Sequence, residues 1–329
     1  MLSLNGGANM WFEKIISQTE NYENVSNDSS FVALGDSLEL LKNINDNSID
    51  LIFTDPPYNI GKDFGTSKDT WESKESYVEW CKEWIDECMR VLKDDGTFYF
   101  MAATQFMPYL DVYCQQNYNV LSRIIWGYDS SGKQSKKMFG SLYEPILMVN
   151  KSEKAKYTFN SNDILVEAKT GSERKLIDYR KDPPQPYNEK KVPGNVWSFP
   201  RVRFKMEEYE NHPSQKPEAL LERIILVSSN EGDVVLDPFG GSFSTSAVAV
   251  KLNRKAISFD IHHEYFKIGI RRTKISDIYK DEQLVKDKSR KTKNKSKKNR
   301  GLEKSHEQDV LVSNIEEQQL GFLLDSSKE

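Results

Sequence analysis

The 329-residue sequence is poor in metal-binding side chains, with three cysteines and four histidines, and neither set has the spacing of a metal site. Cys81 and Cys88 lie one helical stripe apart, so both are expected in the core as reduced thiols, with Cys114 unpaired. His212, His262, His263 and His306 are expected in loops or on the surface, and no metal is implied. No apolar run reaches membrane length, and the first nine residues are polar rather than basic and then apolar, so neither a membrane span nor a secretory leader is expected. Met10 is a second candidate start, because ordered-looking sequence begins at residues 11–16. A Gly-x-Gly-x-x-Gly turn is missing too, which argues against an oxidoreductase on a nucleotide-binding sheet. Net charge is only −4, so affinity for a polyanion would have to come from local patches. A cytoplasmic protein is the expectation.

What is present is an alternation of short apolar runs with helical stripes. Strands are expected at 31–34, 49–54, 97–101, 119–126, 142–149, 233–236 and 255–259, with helices at 38–42, 75–92, 106–116, 217–229, 242–252 and 264–272. This is an α/β pattern, a doubly wound, mostly parallel seven-stranded sheet covered on both faces. The rhythm stops between 151 and 205, where Pro, Asn, Lys and isolated aromatics read as an insert outside the core. Residues 1–30 read as an extension and 280–329 as a charged tail, with the basic run 286–300 disordered. The loop 59–70, with Gly61 and Gly65 among polar residues, could close over a substrate.

Two motifs carry chemistry. Asp55-Pro56-Pro57-Tyr58 follows the strand 49–54. Its carboxylate and the carbonyl ahead of Pro57 accept hydrogen bonds, Pro57 brings no competing donor, and Tyr58 offers a flat face. These parts can hold an exposed nucleobase by its exocyclic amine. Asp237-Pro238-Phe239-Gly240-Gly241-Ser242 reads as strand, glycine turn and helix start, and Asp260 ends the next strand where an acid meets ribose hydroxyls in such folds. Asp182-Pro183-Pro184-Gln185 repeats three letters of the first motif without an apolar strand before it or an aromatic after it, and reads as a polar loop.

The paired motifs resemble the signature of S-adenosylmethionine-dependent, amino-directed DNA methyltransferases over most of 31–272. With the tetrad first and the insert between, the order resembles the β group of that family. The resemblance implies a Rossmann-like methyltransferase domain with a catalytic half at 31–150, a target-recognition insert at 151–205 and a cofactor half at 206–279. It assigns Asp55, Pro56, Pro57 and Tyr58 to catalysis. Asp36, Ser214, Lys216, Asp237, Phe239, Gly240, Gly241, Ser242 and Asp260 go to S-adenosylmethionine, Lys216 at a helix start. Asn211-His212-Pro213-Ser214-Gln215-Lys216-Pro217 is similar to the family element ahead of the cofactor strand. One departure is Phe243, standing where the family has glycine. Asp in the first place of the tetrad resembles adenine-directed enzymes, and no cysteine follows a proline, as methylation of a cytosine ring carbon would require.

Recognition of double-stranded DNA is expected from Arg174, Lys175, Arg180, Lys181, Lys190, Lys191, Arg201 and Arg203, interleaved with Tyr157, Tyr179, Tyr187 and Trp197. Cytosine N4, RNA or protein amides stay open as substrates of the same tetrad, and an inactive DNA-binding module as another class. A cognate restriction endonuclease and a homodimer are compatible partners, a membrane is not, and the run 318–324 faintly resembles sliding-clamp peptides.

Overall fold

The computed structural model describes residues 10–64, 68–129, 136–137, 139–169 and 175–275. The chain divides into a unit Met1–Tyr279 and a unit Lys280–Glu329, and every described residue belongs to the first. The expectations for Arg174, the basic run 286–300 and the run 318–324 lie outside the described residues.

In chain order the first half contains β1 (Asn24–Ser26), β2 (Ser30–Leu34), α1 (Ser37–Leu41), β3 (Ile49–Thr54), α2 (Lys74–Val91), β4 (Leu92–Met101), α3 (Met107–Asn117), β5 (Asn119–Gly127) and β6 (Tyr143–Asn150). Short strands follow: β7 (Val166–Glu167), β8 (Ile177–Asp178), β9 (Gln185–Pro186), β10 (Lys190–Lys191) and β11 (Val196–Ser198). The remainder is α4 (Glu218–Ser228), β12 (Val234–Asp237), α5 (Ser244–Lys251), β13 (Lys255–Asp260) and α6 (His263–Arg272).

Alternation along the central strands builds two cores. Ile52 of β3, Phe98 and Phe100 of β4 and Ile257 of β13 join one buried cluster with α2 and α3, while their neighbours Leu51, Phe53, Tyr99 and Ala256 join the other with α4 and α5. Strands buried on both faces read as continuous apolar runs, which is how the sequence shows them. Helix α2 starts where the Ser73 side chain accepts from Ser76 N, and it buries Tyr77, Cys81, Trp84, Ile85 and Cys88 on one face. All three cysteines are buried and free, and burial pushes the Cys81 and Cys114 thiols up to about 12.

The main sheet runs β1-β2-β13-β12-β3-β4-β6-β5-β11. Strands β2, β13, β12, β3 and β4 are mutually parallel, and β6 is antiparallel to both β4 and β5. The seven expected strands are all present, and three-residue edge strands β1 and β11 extend them. Strand β11 lies inside the segment read as an insert outside the core. It pairs parallel with β5, and Trp197 is buried in the second core under the Arg223 guanidinium, so this ring supports the sheet rather than facing a partner. A single core residue among polar neighbours has no period to read.

Four consecutive sheet neighbours carry an aspartate at or just beyond their carboxyl ends: Asp36 after β2, Asp260 in β13, Asp237 in β12 and Asp55 after β3. Ligands of open parallel sheets bind outside this edge.

The turn after β12 is held in an unusual way. Phe243 adopts the left-handed backbone conformation, with φ 54°, where glycine is normally favoured. Its ring is fully buried in the space left by two glycines: a Cβ at Gly269 would lie 2.7 Å from the ring, and one at Gly240 2.9 Å. Gly269→Ala should therefore destabilise the fold by about 1–3 kcal/mol through overpacking, read as a lower thermal midpoint. An unchanged midpoint would show that the ring has room to move.

Candidate active site

One cavity of about 530 Å³ opens at the row of aspartates, and every residue expected to serve catalysis or the cofactor lines it. Of the residues expected to bind DNA, Arg201 lines it as well. The other described ones do not line it. Lys175, Lys190, Lys191 and Arg203 are exposed, Lys181 is partly buried, and Arg180 is held by Asp178 at 2.8 Å. Tyr157, Tyr179 and Tyr187 are exposed.

At the tetrad, the Tyr77 hydroxyl donates to the Pro57 carbonyl at 2.7 Å, pinning the turn to α2. Among the described residues nothing donates to the Pro56 carbonyl, which keeps its acceptor capacity. Asp55 Oδ1 accepts from the Tyr58 hydroxyl at 2.5 Å, and Oδ2 is ion-paired with Lys216 Nζ. Lys216 is buried, also donates to the Ser214 carbonyl at 3.1 Å, and lies 3.7 Å from Glu144 Oε2. Burial raises the Asp55 carboxyl above the usual carboxylate range and Glu144 adds to this, against the pull of Lys216. Burial alone would lower the Lys216 ammonium, but Asp55 and Glu144 outweigh it and the group stays charged. Lys216 precedes α4 rather than starting it, since Pro217 is the cap residue, so its charge answers Asp55 instead of a ligand at a helix terminus.

At the second motif, the Asp260 carboxylate accepts from Gly241 N at 2.8 Å and His262 N at 2.7 Å. His262 Nδ1 also lies 3.2 Å from it, and since a carboxylate has about four acceptor sites, capacity is left. Asp36 caps α1 through one oxygen, accepting from Leu38 N and Glu39 N. Asp237 differs: its oxygens take the Thr54 hydroxyl at 3.1 Å, the Thr245 hydroxyl at 2.6 Å and Phe239 N at 3.2 Å. It braces β3, the turn and α5, although burial raises its carboxyl to about 7. Phe239 packs edge-on against Trp80 and Trp84. Ser242 contacts the Ser244 hydroxyl at 3.1 Å. Gly241, with φ 52°, brings its backbone against His212, where a Cβ would meet the ring at 3.0 Å. Burial, then Lys216, holds that imidazole down to about 3, so it is neutral near pH 7. These features fit S-adenosylmethionine: acceptors for hydroxyls and an amine at Asp260 and Asp36, and the glycine turn at Gly240 and Gly241 lining the same cavity.

Several lining residues escaped the sequence reading. Glu144 accepts from Tyr58 at 3.2 Å and Tyr128 at 3.3 Å, and Arg201 lies 5.0 Å over the Tyr128 ring. Asp69 accepts from Tyr58 N at 3.1 Å and from Lys62 N, folding the loop after the tetrad. Phe64, on that loop, packs near His212 and His262 and accepts from Tyr265 through its carbonyl. The only signal for Glu144 was an acid opening an apolar strand, and its partner Tyr58 is 86 positions away.

A doubly wound sheet with two aspartate turns facing one cavity defines an enzyme that brings two ligands together for group transfer. The family model described as DNA methylase matches residues 49–271. DNA adenine methyltransferase YhdJ of Escherichia coli (strain K12) is 57% identical over 274 residues, covering 83% of this chain and 92% of that protein. Type II methyltransferase M.HpaI of Haemophilus parainfluenzae is 40% identical over 235 residues, covering 71% of this chain and 70% of that one. Among solved structures, the PvuII DNA methyltransferase (cytosine-N4-specific) shares the fold with a TM-score of 0.60 at 20% identity, covering 77% of this chain and 92% of that chain. The chain belongs to the DNA methylase family. It is an S-adenosylmethionine-dependent DNA methyltransferase. Among the described residues no helix is long and apolar enough to cross a membrane, and no cluster of side chains could hold a metal ion.

Proposed function

We propose that this chain transfers the methyl group of S-adenosylmethionine to the exocyclic amine of adenine at specific sites in duplex DNA, with the base flipped out of the helix. The observation that carries the reading is that Asp55 and Pro56, whose carbonyl accepts from no donor among the described residues, line the same cavity as Gly241 and Asp260. The 57% identity to a protein named DNA adenine methyltransferase supports adenine over cytosine.

The amine lone pair is delocalised into the ring, so an enzyme must localise it. Asp55 and the Pro56 carbonyl accept the two amine hydrogens and draw them out of plane, while the pinned turn fixes their direction. Bound beside them, S-adenosylmethionine supplies an electrophilic methyl group. Asp260 and Asp36 orient it through its ribose and adenine, and Phe239, Gly240, Gly241 and Ser214 wall its remaining length. Asp237 and Ser242 hold the turn, and Lys216 serves as counter-ion to Asp55. Most of the acceleration is orientation and electrostatics. Extruding the base costs a few kcal/mol, and stacking on Tyr58 returns ~1–3 kcal/mol. Arg201 is placed to meet the backbone beside the flipped base, with Lys175, Arg180, Lys181, Lys190, Lys191 and Arg203 as outer phosphate contacts. Cytoplasmic action on bacterial chromosomal DNA, a cognate restriction endonuclease and a homodimer belong to the same reading.

Labelled methyl transfer to duplex DNA, RNA and protein, followed by nucleoside digestion, tests it. N6-methyladenine from the duplex is the expected product; N4-methylcytosine, or label in RNA or protein alone, would overturn the assignment. Asp260→Asn should weaken donor binding by roughly tenfold, as loss of a charge-assisted hydrogen bond does, and leave duplex affinity unchanged. Loss of duplex affinity instead would move Asp260 out of the donor site.

A further inference from the structure

Glu144 opens β6 with one oxygen on each of two tyrosine hydroxyls, Oε2 on Tyr58 at 3.2 Å and Oε1 on Tyr128 at 3.3 Å. The Tyr58 hydroxyl is 2.5 Å from Asp55 Oδ1 at the same time. A phenol has a single hydrogen to donate, and its oxygen can accept another. Tyr58 therefore stands between two carboxylates as a bridge whose hydrogen can point either way. The two acids are 15% and 17% exposed, and that exposure is to the cavity which base and donor fill.

Methyl transfer leaves the attacked nitrogen with a proton to shed. Resting on the reading of Asp55 as the amine acceptor, we propose that Glu144 is a positioning residue that draws this proton off Asp55 through Tyr58. The nitrogen lone pair forms the N–C bond as the C–S bond breaks toward sulfur. An N–H bond then breaks, its electron pair stays on nitrogen and the proton goes to Asp55. The Asp55 O–H donates to the Tyr58 oxygen while the original Tyr58 hydrogen passes to Glu144 Oε2. The net change is one proton from nitrogen to Glu144, with Tyr58 a neutral phenol before and after.

Burial and Glu144 make Asp55 the first acceptor, and Lys216, in direct contact with Asp55 and 3.7 Å from Glu144, favours return of the negative charge to Asp55 as the proton passes on. Burial and the two carboxylates hold the Tyr58 hydroxyl well above the ordinary phenol range, so it relays without ionising. Burial, and then the charge of Glu144, raises Asp55 and makes it a better base than an exposed carboxylate. Lys216 keeps its proton and holds the other Asp55 oxygen. The remaining charged or titratable neighbours are His212 near Lys216, Lys62 after the tetrad, Arg201 after β11, Tyr77 on α2, Tyr128 after β5 and Asp237 at the end of β12.

The test is single-turnover methyl transfer to a duplex by wild type, Glu144→Gln, Glu144→Asp and Tyr58→Phe, from pH 6 to 9 and in light and heavy water, with donor binding, duplex binding and thermal midpoint measured separately. Glu144→Gln is expected to bind both ligands within about twofold of wild type and to lose roughly tenfold or more of the transfer rate, the range of an acid–base contribution. Its acid limb should move to lower pH, because Asp55 loses a neighbouring negative charge, and its solvent isotope effect should change. Glu144→Asp should recover part of the rate, and Tyr58→Phe should lose the same isotope signature. A rate lowered by one factor at every pH with an unaltered isotope effect, or a rate that does not change, would overturn the proposal. A wild type that leaves adenine unmethylated would instead sink the function reading on which it rests.

Discussion

Asp55→Asn is expected to lower methyl transfer by a factor of roughly 10²–10³ or more, the cost of losing a preorganised charge partner of the reacting group, with donor affinity within about twofold of wild type. The asymmetry follows from the sheet. Asp55 stands after β3 and Asp260 ends β13, with the whole of β12 between them. Asparagine keeps the size of the side chain and one carbonyl acceptor for Lys216, so the turn is expected to survive, while the charge proposed to polarise the amine is gone. Isothermal titration with the donor or its demethylated product separates binding from turnover. Equal loss of both would mean that the tetrad also holds the donor, and the division of labour along the rim would be wrong.

Lys216→Met should cost about 3–5 kcal/mol of folding stability, the usual penalty for removing one partner of a buried ion pair. Lys216 is the counter-ion of Asp55 and lies 3.7 Å from Glu144, and methionine would leave both acids facing each other across Tyr58. The loss has a definite pH dependence. Lys216 lowers the Asp55 carboxyl, so without it that group, already raised by burial, rises further above its unfolded value. A raised folded value contributes stability at low pH that is lost as pH climbs through it. The deficit relative to wild type should therefore be largest at pH 8 and shrink toward pH 5. Denaturant unfolding at the two pH values checks this, with Lys216→Arg as the charge-preserving comparison. A deficit independent of pH would place the cost in packing rather than in the carboxylates.

The residues that sequence made legible are those where local chemistry and local structure coincide. The strand 49–54 announces itself by apolar run, and a rigid acidic turn follows directly, so Asp55 to Tyr58 could be read without knowing what faced them. The same holds for Asp237 to Gly241 and for Asp260. Their roles were less legible than their place: Asp237 turned out to be engaged by Thr54, Thr245 and Phe239 N, and Lys216 to be paired with Asp55. Both facts depend on partners more than 150 positions away or on a turn's detailed geometry. Direction within the sheet was hidden for the same reason, since β6 looks like any other apolar run until it is seen antiparallel between β4 and β5. Phe243 broke the expected glycine pattern, and only tertiary packing explains it. The ring takes the space that Gly240 and Gly269 leave.

The hydrogen bond from Thr54 to Asp237 spans 183 positions of chain, yet joins immediate sheet neighbours. During synthesis the ribosome finishes the tetrad long before it makes β12 and β13, so β3 waits with one flank bare. A nascent polypeptide ending before residue 234 therefore has the Asp55 to Tyr58 segment but lacks the strand that borders β3 on that side.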